Sequence, residues 1–100
     1  MALCGGFGNA REATEEEQTI LHQAKADLES KLGKTFSELK AIAFTTQVVA
    51  GVNYVMKIVA DGTYYHVKIH KPLPHTNQAP FVLAIDSNAH TADSELAIFE

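Results

Sequence analysis

The sequence predicts an α+β domain in which one amphipathic helix packs across a four- to five-stranded antiparallel sheet. Three observations carry that expectation. Apolar residues recur at helical spacing once, within residues 15–32. The period then switches to two and stays there. An Asp-Gly pair at Asp61 and Gly62 separates two alternating runs, which is the strongest short-range hairpin signal. One helix followed by a run of strands is the α+β pattern, with the helix covering one sheet face.

Each element follows from its own residues. The first ten residues, MALCGGFGNA, are small and glycine-rich, and are expected to form a flexible N-terminal trunk. Thr14 stands three residues before Glu17, the capping-box spacing, and Glu15, Glu16 and Glu17 suit the positive end of a helix dipole. Ile20, Leu21, Ala24, Leu28 and Leu32 then share a helix face, and Gly33 supplies the stop, so a single helix is expected over residues 15–32. Leu39, Ile42 and Phe44 mark a first long strand whose broken parity predicts a bulge. Tyr54, Met56 and Ile58 alternate with Asn53, Val55, Lys57 and Val59. Beyond the Asp-Gly turn, Tyr65, Val67 and Ile69 take one face, and Tyr64, His66, Lys68 and His70 take the other, expected to be solvated. Residues 71–80 read as a loop. Phe81, Val82, Leu83 and Ile85 form a last strand, and Leu96, Ile98 and Phe99 are available to pack back from a mixed tail.

Composition bounds the function. The chain has 100 residues, 46% hydrophobic and 20% charged, the profile of a single globular domain over residues 1–100. Its net charge is −4 and its basic residues form no block, which argues against nucleic acid or an anionic membrane as partner. Cys4 is the single cysteine, so no intrachain disulfide is available, as fits a reducing compartment. The opening residues lack a basic n-region and an apolar run, and nothing resembles a membrane span, so a cytoplasmic protein is expected.

In a meander, alternate hairpin loops lie at the same end of the sheet. The turn at residues 47–51 and the loop at residues 72–77 are therefore expected to be neighbours, with the Asp61-Gly62 turn at the opposite end. Both neighbouring loops carry apolar residues where turn chemistry would favour Asn, Asp, Ser or Gly: Val48, Val49 and Ala50 in one, Leu73 and Pro74 in the other. Adjoining apolar tips form a ridge that water disfavours, and such patches mark partner surfaces. The competing reading has the two valines extending the strands and packing on each other.

The residues at these loops carry a resemblance. QVVAG at residues 47–51 matches the Gln-x-Val-x-Gly signature of the cystatin superfamily, LPH at residues 73–75 resembles the second loop of its stefin, or type-one, branch, and LCGG is similar to the stefin start. The likeness continues through ATEEEQTI, VVAGVNYVMK and DSELAIF, so it covers nearly the whole chain. It implies a cystatin-like fold and reversible, competitive inhibition of papain-like cysteine proteases such as cathepsins, with an N-terminal trunk and two hairpin loops entering the cleft as a wedge. By position, the protease-binding residues it implies are Gln47, Val48, Val49, Ala50 and Gly51 in the first loop and Leu73, Pro74 and His75 in the second. The trunk glycine maps to Gly5, with Gly6 beside it; Gly6 and Gly8 depart from a single trunk glycine. Gln47 is expected to bond within the hairpin and shape its tip. The resemblance further implies a monomer whose first hairpin is a hinge for domain-swapped dimers. Secreted type-two members have disulfides and a Pro-Trp second loop; this chain has a single cysteine and no tryptophan.

Other constellations fall away. His66 and His70 at i and i+4 lie roughly 13 Å apart on a strand, too far to share an ion. Cys4 sits in the trunk with no fixed base, and GGFG follows no strand, so neither a thiol enzyme nor a phosphate loop is expected, nor any cofactor. A non-inhibitory protein-binding module on the same fold is the alternative.

Overall fold

The computed structural model describes residues 10–90, with side chains described as far as Asp86. Along the chain come β1 (Arg11–Glu12), α1 (Glu15–Gln23), α2 (Lys25–Leu32), β2 (Leu39–Val49), β3 (Gly51–Ala60), β4 (Thr63–Lys71), a 3-10 turn (Pro74–Thr76) and β5 (Phe81–His90). The five strands form one antiparallel sheet in the order β1-β2-β3-β4-β5. The α+β architecture is therefore as expected, with the fifth strand being the two-residue β1. The trunk, Cys4 and the tail residues Leu96, Ile98 and Phe99 lie outside the described residues.

The helix starts as the capping box demands: the Glu17 carboxylate accepts from the Thr14 N–H at 2.8 Å and from its hydroxyl at 2.5 Å. It does not run unbroken to Leu32. Ala24, at φ −95° and ψ 3°, leaves the α conformation and divides it into α1 and α2. Its N–H is shared between the Ile20 and Leu21 carbonyls, 3.1 Å from each, and Leu28 donates back to its carbonyl at 2.9 Å. The two segments thus keep one course with a bend. Ile20, Leu21, Ala24 and Leu28 are all buried, and a helix that presses this face onto a twisted sheet must curve with it. Gly33 ends α2 at φ 68°, as expected of a left-handed cap.

The core is the layer between these helices and one sheet face, where Phe44, Tyr54, Met56, Ile58, Tyr65, Val67, Ile69 and Val82 meet the helix residues. Burial holds the Tyr54 phenol above its ordinary range, and Glu16 and Glu17 add to the shift. The parity break in β2 is a bulge between Ala41 and Ala43. There the Gln18 side chain acts as a short stretch of missing strand, its amide nitrogen donating to Leu39 O and its oxygen accepting from Ala41 N–H, both at 2.8 Å. α2 is tied to β5 by Asp27, which accepts from the Val82 N–H at 2.7 Å and from Lys31 at 3.0 Å. The Val82 bond, then Lys31, hold its carboxyl below the usual value.

The far face departs from the expectation of a wet surface. His66 is fully buried, and Thr45, Asn53, Val55 and Lys57 are buried with it. Alternation assigns side chains to a face; it does not decide whether that face meets water. Among the described residues no cluster of His, Cys, Asp and Glu could hold a metal ion, and no helix is long and apolar enough to cross a membrane.

Candidate functional site: two apolar tips at one end of the sheet

The β2–β3 hairpin turns at Ala50, with Val49 opposite Gly51. β4 runs beside β3 with Val52 opposite Lys71, so it ends level with that turn and delivers the chain directly into the Pro72–Leu73–Pro74 stretch. The two loops are neighbours, as the meander requires. The Asp61-Gly62 turn closes the opposite end with both residues at positive φ, 49° and 84°. Its Asp61 carboxylate accepts from the Ser37 and Glu38 N–H groups, the latter at 2.7 Å.

Exposure separates the tips from the core. Val48 is 80% exposed, Val49 43% and Leu73 39%. Ala50, Pro74 and His75 are exposed as well, whereas Gln47 is half-buried and Gly51 buried. Val48 and Val49 close β2 and so do extend the strand, but their side chains are not packed away from water.

Both tips are held by local chemistry. Gly51 sits at φ 107°, a region that L side chains rarely adopt. A Cβ there would lie 2.5 Å from the Lys71 carbonyl oxygen and 3.1 Å from the His70 ring. Glycine at this position thus lets the first hairpin lie against the strand that feeds the second loop. Gln47 accepts a bond from the Asn53 side chain across the hairpin at 3.3 Å, a bond within the hairpin as expected. In the second loop Pro74 opens the 3-10 turn with its φ preset. The Leu73 carbonyl accepts from the Thr76 N–H at 3.0 Å and from its hydroxyl at 2.7 Å, and Asn77 closes the turn at φ 56°.

The electrostatic setting suits an apolar contact. Between residues 39 and 85 the sole carboxylate is Asp61, at the far end. Within residues 39–85, therefore, no acidic side chain at the tip end would have to lose its water when the tips enter a groove.

Two exposed residues at this end were not singled out by sequence reasoning. Phe81 is 38% and Leu83 46% exposed, and with Val49, Ala50, Asn53 and His70 they line a shallow depression beside the first tip. Their sign in the sequence was an unbroken apolar run, Phe81 to Ile85, in which both parities are apolar. β1 is the other addition. Its register, Arg11 with Phe44 and Glu12 with Ala43, means that the chain read backwards through β1 heads toward the Val48 end of β2. Arg11 also lies over the Phe44 ring, 4.7 Å from its centre. The trunk residues Gly5 and Gly6 fall outside the described residues.

Fold and tips together define a class: a helix-covered antiparallel sheet that presents two stiff apolar loops side by side at one end. Comparison with known proteins agrees. The cystatin domain matches residues 5–83. Bovine (Bos taurus) stefin-C is 38% identical over 96 residues, covering 95% of this chain and 94% of the relative. Pig (Sus scrofa) leukocyte cysteine proteinase inhibitor 1 is 39% identical over 98 residues, covering 97% and 94%. Among solved structures, a secreted type 1 cystatin from Fasciola hepatica superposes with a TM-score of 0.70 at 27% identity, covering 87% of this chain and 99% of that one. The chain belongs to the cystatin family, in its stefin, or type 1, branch. Members of this family are protease inhibitors and not enzymes.

Proposed function

We propose that this protein is a reversible, competitive inhibitor of papain-like cysteine proteases of the cathepsin type, acting in the cytoplasm and performing no chemistry of its own. The observation that carries the reading is the exposure of Val48 and Leu73 on adjacent loops whose backbones are independently stiffened.

A papain-like cleft is an open groove that binds extended peptide, with apolar subsites beside the reactive cysteine. The ridge of Val48, Val49, Ala50, Leu73 and Pro74 fills such a groove by shape, with His75 at its margin. Gly5 and Gly6 of the trunk occupy the groove on the other side of the cysteine, where a backbone without Cβ can approach closely. The direction of β1 supports that assignment, since β1 itself, read from Glu12 to Arg11, runs toward the tip end of β2. No peptide carbonyl is offered to the thiolate, so the inhibitor escapes cleavage.

The magnitudes explain why stiffness matters. Full burial of a valine or leucine contributes roughly 1.5–3 kcal/mol, and with Val48, Val49 and Leu73 at 80%, 43% and 39% exposure these three still hold about 2–5 kcal/mol for a partner. Association costs about 4–15 kcal/mol before net affinity appears. Preformed tips lower the ordering part of that cost, so little of the tip contribution is lost to it.

The test is a titration of active papain, following hydrolysis of a peptide substrate. Stoichiometric loss of activity, relieved by raising substrate concentration, is expected. Undiminished hydrolysis at micromolar protein would remove the proposal.

A further inference from the structure

Directly beneath the two tips, one row of paired residues crosses four strands: Gln47 on β2, Asn53 on β3, His70 on β4 and Phe81 on β5. Hydrogen bonds link the first three. The Asn53 amide nitrogen faces the Gln47 oxygen at 3.3 Å, and its oxygen lies 2.6 Å from His70 Nδ1. With the Asn53 nitrogen turned to Gln47, its oxygen is the acceptor, so His70 carries its proton on Nδ1. The His70 ring then packs against Phe81, centres 5.4 Å apart and planes inclined by 57°. The same ring lies against Gly51, 3.1 Å from where a Cβ would stand. Asn53 is buried, so each of its polar atoms needs the partner it has.

We infer that Asn53 and His70 are positioning residues of the inhibitory wedge, locking the first hairpin to the strand that carries the second loop. The inference rests on the inhibitor reading given above. Its physical content is a matter of registration. Val48 and Leu73 stand on different hairpins, and a two-stranded hairpin end is weakly held by itself. Main-chain bonds hold β3 to β4 up to Val52 and Lys71, but the tip beyond Gly51 has none to the second loop in that ladder. Side chains do that work. His70 immediately precedes Lys71 and Pro72, so fixing its ring fixes where Leu73 emerges. Asn53 spans from that ring to Gln47, the first residue of the tip. Cut at either bond, the two apolar tips keep their own shapes and lose their mutual spacing. A groove that accepts both must then order them on binding, and affinity falls.

The choice of side chains permits a discriminating test. His70→Phe keeps a ring against Phe81 and removes the donor to Asn53. His70→Gln gives up the ring and restores an amide N–H at a similar reach. Papain inhibition constants are measured for the full-length protein and both variants, with melting temperatures alongside. His70→Phe is expected to bind papain about 2- to 10-fold more weakly, the loss of one neutral hydrogen bond. His70→Gln is expected within about two-fold of the parent. Asn53→Ala should weaken binding at least as much, and adding His70→Phe to it should weaken binding no further. Inhibition by His70→Phe equal to the parent's would overturn the inference. So would His70→Gln as weak as His70→Phe, or a loss of binding that merely follows a loss of melting temperature. If the parent itself leaves papain untouched, the functional reading falls, and the lock is judged in the free protein by amide hydrogen exchange at Val48 and Val49. Faster exchange there in His70→Phe, restored in His70→Gln, supports the lock; unchanged exchange refutes it.

Discussion

Truncating Val48 to Ala separates a surface role from a packing role. The substitution removes two methyl groups, worth about 1.6 kcal/mol if both pass fully from water to an apolar site. Val48 is 80% exposed in the free protein, so about 1.3 kcal/mol of that gain is still available to a partner and about 0.3 kcal/mol is already realised in the fold. The inhibition constant for papain should therefore rise about nine-fold. The melting temperature should fall by no more than about 2 °C, the shift that ~0.3 kcal/mol gives in a domain of this size. Progress curves of papain hydrolysis give the first quantity and a thermal scan the second. A drop of several degrees with unchanged inhibition would refute the reasoning, because it would mean that the side chain serves the fold and not the partner.

Gly51→Ala should behave in the opposite way. It forces a Cβ onto a residue at φ 107° and within 2.5 Å of the Lys71 oxygen, and backbone strain of this kind costs about 1–3 kcal/mol. Melting at least about 4 °C lower, with weaker inhibition, is expected; an unaltered melting temperature would mean that the close approach is not needed. Asp27→Asn tests the tie between α2 and β5. A carboxyl whose folded pKa is depressed stabilises above its unfolded value and loses that contribution as pH falls through the folded value, so the parent should lose stability below its usual 3.8. The variant should show a flatter stability profile in that acid range; parallel profiles would remove Asp27 from the acid response. Deleting residues 1–6 should speed dissociation from papain with the melting temperature unchanged, and an unchanged dissociation rate would exclude the trunk from the wedge.

Local chemistry made much of this molecule legible in the sequence. The Thr14–Glu17 box, the Gly33 stop and the Asp61-Gly62 turn each depend on residues within a few positions of one another, and each stands where the spacing put it. The β2 bulge was visible as a change of parity between Leu39, Ile42 and Phe44. That the valine tip and the loop of Leu73 are neighbours followed from meander geometry, whereas their exposure had a packing alternative that the sequence left open.

What stayed hidden was tertiary. The bend at Ala24 answers the twist of a sheet that lies later in the chain, and alanine carries no sign of it. Two residues, Arg11 and Glu12, are too few to show a strand period. Gln18 reads as a helix surface residue, yet it serves as a substitute strand for the bulge. The burial of His66 could not be inferred from alternation, which grouped it with Lys68 and His70 on the polar side of the strand. At the site itself, the glycine of QVVAG was evident as part of a motif, but its positive φ and its contact with the Lys71 carbonyl were not. The Asn53–His70 bond joins residues 17 apart and has no local signature.

The central claim is that the Val48 and Leu73 end of the sheet, and no other, enters the protease. Methyl resonances followed while unlabelled papain is added to the labelled protein test it most directly. The account predicts that the Val48, Val49 and Leu73 methyls shift or broaden at one equivalent, while the Ile58 methyls in the core and the amides of Asp61 and Gly62 at the far turn stay unchanged. Perturbation centred on the far turn or the outer helix surface, with the tip methyls unmoved, would contradict it.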